Sequence, residues 1–170
     1  MAQKLKNWGR AVLVLSSTAA FPLAAQAASV GQSMAVTATV KDTCTLSTAP
    51  VAFGTIDVSG GTAIDGTGSI TVKCSKGSAW NATASAGAGG SVTSRKMTLA
   101  GDATESLNYQ LYVDSGRANA WSDSLTGTVI SGTGTATNEV RTVYASILAG
   151  QASAKVGSYS DSVTVTVTYP

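Results

Sequence analysis

Cys44 and Cys74 are the two cysteines of a chain that contains no histidine. A metal site would need further ligands, whereas an isolated cysteine pair in an oxidising compartment normally forms a disulfide bond. Such a bond would close a loop of about 30 residues, which is worth about 3.5 kcal/mol in the chain-entropy model. We therefore predict a structural disulfide between Cys44 and Cys74.

The remaining polar residues predict neither an enzyme nor a cofactor site. The absence of histidine excludes Ser-His-Asp and Cys-His nucleophiles, and the mature sequence has no S-x-x-K motif. Most carboxylates occur in turn-like contexts, where they cap the backbone. The glycine cluster at residues 87–90 lacks the Lys-Ser/Thr ending of a phosphate-binding loop, so we predict a flexible turn there.

The first residues have the pattern of an export signal. Lys4, Lys6 and Arg10 precede an apolar run over residues 11–23, and residues 25–27 (AQA) suit a signal peptidase. We predict that residues 1–27 are removed and that the protein is exported. Three of the eleven basic residues lie in this leader, which leaves eight against nine acidic residues. A chain so nearly neutral is not expected to bind nucleic acid.

The rest of the chain has the composition of an all-β domain. It is rich in Thr, Ser, Val, Gly and Ala, and its apolar residues alternate rather than follow a helical period. A sandwich of two sheets would accommodate short strands joined by short turns. The candidate strands are residues 43–46, 51–58, 68–74, 79–86, 92–99, 107–113, 126–130, 140–148 and 162–169.

A further alternating stretch, residues 29–41, lies at the terminus that signal cleavage would create. Its even positions carry an apolar series and its odd positions are small or polar. This period of two predicts a strand with one apolar face, which must be buried somewhere. The partner is either the chain's own domain or another copy. The apolar residues are Val30, Met34, Val36, Ala38 and Val40.

Several short motifs, taken in their order along the chain, resemble the spore-coat-U-like domain of archaic (Csu-type) chaperone–usher pili. They are Cys44, Phe53-Gly54, GSITVKC (68–74), LNYQLY (107–112), Trp121, Tyr144, Gly150-Gln151 and GSYSDSVTVTVTY (157–169). The resemblance covers essentially the whole mature chain. Ser122 and Ala145 stand where the family often has glycine after Trp and Tyr.

The resemblance implies an incomplete immunoglobulin-like β-sandwich that a donor strand completes. Residues 42–170 would form the pilin domain, and residues 28–41 would be the donor extension, whose plugs are Val30, Met34, Val36, Ala38 and Val40. One strand edge would border the receiving groove, and the chaperone would bind at the same edge. Its residues would be Val163, Val165, Val167 and Tyr169.

The resemblance also implies partners and a location. The partners would be other copies or sister pilins, a periplasmic chaperone and an outer-membrane usher. The protein would pass through the periplasm into a surface fibre for adhesion and biofilm formation. Two alternatives remain open at this stage. One is a spore or cyst coat protein, and the other is a monomeric secreted binding domain that presents Trp80, Tyr112, Trp121 and Tyr144 to a carbohydrate.

Overall fold

The computed structural model describes residues 26–170, so the predicted signal peptide lies outside the described residues except for its last two positions. The described residues form strands and no helix, as the alternation predicts. The strands are β1 Cys44–Ala49, β2 Ile64–Cys74, β3 Ala79–Ala84, β4 Gly89–Ser91, β5 Ser94–Leu99, β6 Asp102–Tyr112, β7 Ile130–Thr133, β8 Glu139–Ile147, β9 Tyr159–Ser160 and β10 Val165–Thr168.

The strands form two antiparallel sheets. The larger has the order β1-β2-β8-β6-β5-β4, with β9 also paired to β5, and the smaller has the order β10-β3-β7. Non-sequential neighbours such as β2 and β8, or β10 and β3, bring distant parts of the chain together. The predicted all-β, two-sheet architecture is therefore confirmed.

One cluster of buried side chains is drawn from both sheets. The alternation within each strand decides which side chains belong to it, because successive residues point to opposite faces. The buried apolar residues of the long strands are Ile70, Val72, Cys74, Trp80, Ala82, Ala84, Leu107, Tyr109, Leu111, Val143, Ala145 and Ile147. Trp121, from the connection after β6, belongs to the same cluster.

The predicted disulfide is present and joins the first two strands. Cys44 and Cys74 are directly opposite each other in the β1–β2 ladder, with their Cα atoms 4.1 Å apart. The bond therefore closes the start of β1 onto the end of β2. Cys74 is 1% exposed and lies on the same inward face as Val72, as the alternation predicts.

The strand predicted at residues 51–58 is wrong, because this segment is not hydrogen-bonded into either sheet. It follows Pro50, which has no N–H to donate, and it lies across two glycines of β2. A Cβ atom at Gly66 would be 2.9 Å from the Phe53 ring, and one at Gly68 would be 2.7 Å from a Val51 methyl carbon. Because Gly66 and Gly68 have no side chains, Val51 and Phe53 can pack against the face of β2.

Two other local predictions are also wrong. The strand predicted at residues 126–130 begins only at Ile130, because the preceding residues form a turn in which the Gly127 N–H donates to the Ser124 carbonyl oxygen. The predicted turn at residues 87–90 is partly strand, since Gly89 and Gly90 pair with β5 as part of β4. β4 and the short β9 have no alternating apolar residues, so the sequence pattern does not predict them.

The N-terminal segment, residues 26–43, contains no strand. Its large apolar side chains are exposed, with Val30 at 92%, Met34 at 86%, and Val36 and Val40 at 88%. The chain divides after Ala38 into two units, and all the strands belong to the second, Thr39–Pro170. Among the described residues, no helical segment has the length and hydropathy of a membrane span.

Candidate functional site

The smaller sheet has an open edge at β10. Val165 to Thr168 pair with Ala84 to Asn81 of β3, and no other described strand pairs with the opposite side of β10. Val165 and Val167 are half-buried and pack against the core, whereas Thr166 and Thr168 are exposed. An open strand edge offers unpaired N–H and C=O groups that an incoming strand can use.

A cavity of about 330 Å³ lies between this edge and the end of β1 in the larger sheet. Thr48 and Ala49 of β1 line one side, and Val163 and Val165 line the other. The core lies between them, because Ile70, Leu111, Trp121 and Val143 also line the cavity. β1 is itself paired on one side only, with β2. The cavity is therefore largely apolar and has an open strand edge on each side.

A second cavity, of about 700 Å³, adjoins the first. The two cavities share Val51, Phe53, Met97 and Tyr159 as lining residues. Residues 51–59 and residues 152–159, neither of which forms a long strand, supply most of the second cavity's walls. We call the two cavities together the groove.

The connection from β9 to β10 is fixed to the body by Asp161. The Tyr109 hydroxyl donates to Asp161 Oδ2 at 2.6 Å, and the Ala88 N–H donates to Oδ1 at 2.7 Å. Burial, and then the hydrogen bond to Asp161, raises the pKa of the Tyr109 phenol above its ordinary value. Ser85 and Thr164 form two more hydrogen bonds. The Thr164 N–H donates to Ser85 Oγ, and the Ser85 N–H donates to the Thr164 carbonyl oxygen. These contacts fix the wall of the groove next to β10.

Arg95 is buried beside this wall, fully shielded from solvent. Its guanidinium ties β5 to the end of β3 and to the Trp121 connection, and burial lowers the pKa of the group. Sequence reasoning missed this residue, although the alternation of β5 places it on the same side as Met97. It donates hydrogen bonds to the carbonyl oxygens of Ala84, Ser85, Val92 and Trp121 at 2.8–3.1 Å and to the side-chain oxygen of Gln110.

Of the four residues expected to border a receiving groove, Val163 and Val165 line the first cavity. Val167 lies on the same face of β10 and is half-buried, and Tyr169 is 40% exposed just beyond the strand, but neither lines either of the two cavities. The five expected plug residues lie in the separate N-terminal segment, where all are exposed. Their partner stays a prediction, because one chain contains no second copy to receive them.

The aromatic surface considered for a carbohydrate-binding domain is not available as a whole. Trp80 and Trp121 are each 1% exposed, and the Trp121 Nε1 atom donates to the Ala82 carbonyl oxygen at 2.8 Å. Tyr112 and Tyr144 are only half-buried, and the Arg117 guanidinium lies 5.8 Å above the Tyr144 ring. Both tryptophans are core residues. The described residues also contain no group of three or more metal-ligating side chains.

Comparison with protein families gives a match over most of the chain. The model described as the Spore Coat Protein U domain matches residues 30–166, a range that includes most of the body and the apolar series of the N-terminal segment. No curated protein matches the chain significantly in sequence.

Among the solved structures that match the chain are two chaperone–subunit complexes. One is the CsuC–CsuE chaperone–tip adhesion subunit pre-assembly complex from archaic chaperone–usher Csu pili of Acinetobacter baumannii. Its TM-score is 0.53 at 21% identity, over 76% of this chain and 40% of that chain. The other is a chaperone–tip adhesin complex of CFA/I fimbriae biogenesis, with a TM-score of 0.48 at 12% identity, over 75% of this chain and 42% of that one. The chain thus spans less than half the length of either.

Proposed function

The chain belongs to the Spore Coat Protein U domain family, and we propose that it is a structural, non-enzymatic subunit of a chaperone–usher pilus. In this proposal, residues 42–170 are the pilin domain and residues 28–41 are a donor strand. Each subunit receives the donor strand of another copy, or of a sister pilin, in its groove. The product is a fibre in which every junction is an intermolecular strand pairing.

The proposal rests on one observation: the body has an open groove, and the same chain carries an exposed segment with the alternating apolar side chains that could fill such a groove. The groove lies between the open edges of β1 and β10 and is lined by core side chains. The N-terminal segment carries large apolar side chains at alternate positions, and each is at least 86% exposed. Burying the apolar face of such a segment lowers its free energy.

The alternation decides which side chains would enter the groove. A strand advances about 3.3 Å per residue, so Val30 to Val40 spans about 33 Å, with same-face side chains about 6.6 Å apart. Val30, Met34, Val36, Ala38 and Val40 would then face the core between the sheets. Residues at odd positions, such as Thr37 and Thr39, would face solvent. Backbone hydrogen bonds to β10 would fix the register, as in other strand additions.

The energy available from this junction is large. Burying an aliphatic side chain contributes about 1.5–3 kcal/mol, so four large plugs contribute about 6–12 kcal/mol before the cost of ordering the segment. The plugs counted are Val30, Met34, Val36 and Val40, because Ala38 adds little area. The new backbone hydrogen bonds add to this sum. A junction of this size would dissociate very slowly.

An empty groove with open strand edges is also an aggregation hazard. We therefore propose that a periplasmic chaperone covers the groove, at the edge formed by Val163, Val165, Val167 and Tyr169, until an outer-membrane usher adds the subunit to the fibre. The Csu structure described above is a chaperone–subunit complex, which is consistent with this order of events. The fibre would lie on the cell surface and serve adhesion and biofilm formation.

Deleting residues 30–40 tests the proposal. We expect the deleted chain to accumulate as a folded subunit bound to its chaperone, while electron microscopy of the cell surface shows no fibres. The control is a chain with Ser29, Ser33 and Thr37 replaced by asparagine, which keeps the apolar face and should form normal fibres. Fibres from the deleted chain would refute donation by this segment.

The family description favours one other role, that of a spore or cyst coat protein. The same groove and donor segment would then link subunits within a coat rather than a filament. Immunogold labelling separates the two roles, because a pilus subunit labels thin surface filaments of vegetative cells and a coat subunit labels a continuous layer.

A further inference from the structure

Among residues 26–170, one oxidant-sensitive side chain stands out by its exposure. Cys44 and Cys74 are joined in the disulfide, and the described tryptophans, Trp80 and Trp121, are 1% exposed. Met34, by contrast, is 86% exposed. Oxidation of methionine follows the access of the oxidant to the thioether sulfur. In a single subunit, Met34 is therefore the first of these groups that a small oxidant would reach.

The other methionine of the mature chain, Met97, belongs to the groove. It is half-buried in β5 and lines both cavities. Met34 is in the apolar series of the N-terminal segment. The mature chain's methionines thus lie one on each side of the proposed strand junction, and a regulatory role for either one rests on that proposed function. The two differ in exposure, so an oxidant should distinguish them.

We propose that Met34 is an oxidation site through which peroxide- or hypochlorite-class oxidants control polymerisation. In the reaction with hydrogen peroxide, one oxygen atom is transferred to the thioether sulfur. The O–O bond breaks, an S–O bond forms, the sulfur loses two electrons, and the peroxide is reduced to water. The product is methionine sulfoxide, which reductases convert back to methionine.

The modification acts on assembly because it changes the polarity of a plug. Thioether side chains fill irregular apolar pockets well, whereas a sulfoxide oxygen needs hydrogen bonds that an apolar pocket does not supply. Transferring such a group into the groove should weaken the junction about tenfold to a hundredfold. Once the strand is seated, the sulfur is covered and the oxidant cannot reach it. Oxidation therefore stops new junctions and spares existing ones.

The experiment compares four forms of the mature chain, residues 28–170: wild type, Met34→Leu, Met97→Leu and the double variant. Leucine keeps the volume and apolar character of methionine but has no oxidisable sulfur. Each form is compared with its own untreated sample, so that any change in basal polymerisation caused by the substitution itself cancels. Met34→Leu also leaves the strands intact, because the residue is outside them. Folded monomer is isolated by gel filtration at a concentration low enough to slow association. It is treated with hydrogen peroxide, quenched and then concentrated.

Polymerisation is measured from detergent-resistant multimers, and mass spectrometry locates each added oxygen atom. We expect pretreated wild type and Met97→Leu to need about a tenfold to hundredfold higher concentration than their untreated samples to reach the same fraction of multimer. Met34→Leu and the double variant should be unaffected by pretreatment. Wild-type polymer treated after assembly should keep its multimers and an unmodified Met34.

Two results would contradict the proposal in different ways. If wild type carrying sulfoxide at residue 34 polymerises at the same concentrations as untreated wild type, Met34 is not a control point, although donor-strand exchange stands. The same conclusion holds if Met97→Leu, rather than Met34→Leu, removes the sensitivity. If untreated wild type forms no multimers at all, the proposed function fails, and the role of Met34 fails with it.

Discussion

Replacing Val36 by aspartate should weaken the junction between subunits severely while leaving the subunit itself folded. Val36 is 88% exposed and lies outside every strand of the body. Its substitution therefore removes no contact of the core. The matched control is Thr37→Asp, which introduces the same charge one residue later, on the face expected to point to solvent.

The expected magnitude follows from that exposure. Nearly the whole valine side chain is available for burial, and this contributes about 1.5–3 kcal/mol. An aspartate in the same apolar pocket loses this contribution and leaves a polar group without partners, which costs about 1–3 kcal/mol more even when the carboxyl is protonated. The total of about 2.5–6 kcal/mol corresponds to about 60-fold to 20,000-fold weaker binding. Thr37→Asp should stay within about threefold of wild type, as exposed substitutions usually do.

The assay uses fluorescent peptides of residues 29–41 and a subunit from which residues 30–40 are deleted. Binding of the wild-type, Val36→Asp and Thr37→Asp peptides is followed by fluorescence anisotropy. In parallel, thermal unfolding of mature chains with the same substitutions, isolated as monomers by gel filtration at low concentration, should show unchanged midpoints. Equal losses of binding for the two aspartate peptides would refute the assignment of Val36 to the inward face.

Three further predictions concern the body. Cys44→Ser should lower the free energy of unfolding by about 3.5 kcal/mol without removing the groove, as measured by denaturant titration of the oxidised and variant chains. Gly68→Val should destabilise the domain by about 1–3 kcal/mol and weaken binding of the donor peptide, because its Cβ would lie 2.7 Å from a Val51 methyl carbon and displace a segment that lines the groove. Tyr109→Phe should cost about 1–2 kcal/mol, because it removes the 2.6 Å hydrogen bond to Asp161. The raised pKa of Tyr109 also means that wild type should lose more stability than this variant as the pH rises above about 10, where the unfolded chain ionises first. A wild-type stability that is flat or rising over this range, in circular-dichroism melts, would contradict the buried hydrogen bond.

The sequence alone was sufficient for the elements whose side chains alternate cleanly. The inward faces of β2, β6 and β8 follow from Ile70 and Val72, Leu107 and Leu111, and Val143, all of which are buried. The pairing of the two cysteines followed from their number. Each of these signals is local, since it depends on the period of a strand or on composition.

The predictions that were wrong depended on contacts between distant residues. Residues 51–58 were predicted as a strand, but Val51 and Phe53 lie over Gly68 and Gly66 of β2 and the segment pairs in neither sheet. The buried Arg95 was missed for a related reason. Its acceptors come from four separate parts of the chain, and a charged residue in a strand is usually solvent-exposed.

Alternation predicted which side chains of the last strand point inward, namely Val163, Val165 and Val167, and these are half-buried against the core. Their role as an acceptor edge was implied by the family resemblance and stays a prediction, although Val163 and Val165 line the groove. The apolar series of residues 29–41 was recognised by its period, but its role as a donor strand was implied by the family resemblance and stays a prediction. In a single subunit this segment is exposed and without strand pairing.

The central claim, that subunits exchange strands, is tested most directly by heating assembled mature protein in detergent without reductant. Our account predicts a ladder of multimers that survives moderate heating and collapses to monomer only near boiling, because each junction buries several plugs and a full set of strand hydrogen bonds. The chain lacking residues 30–40 should give a single monomer band at every temperature. A wild-type sample that is monomeric before heating, or a ladder that persists in the deleted chain, would contradict the account.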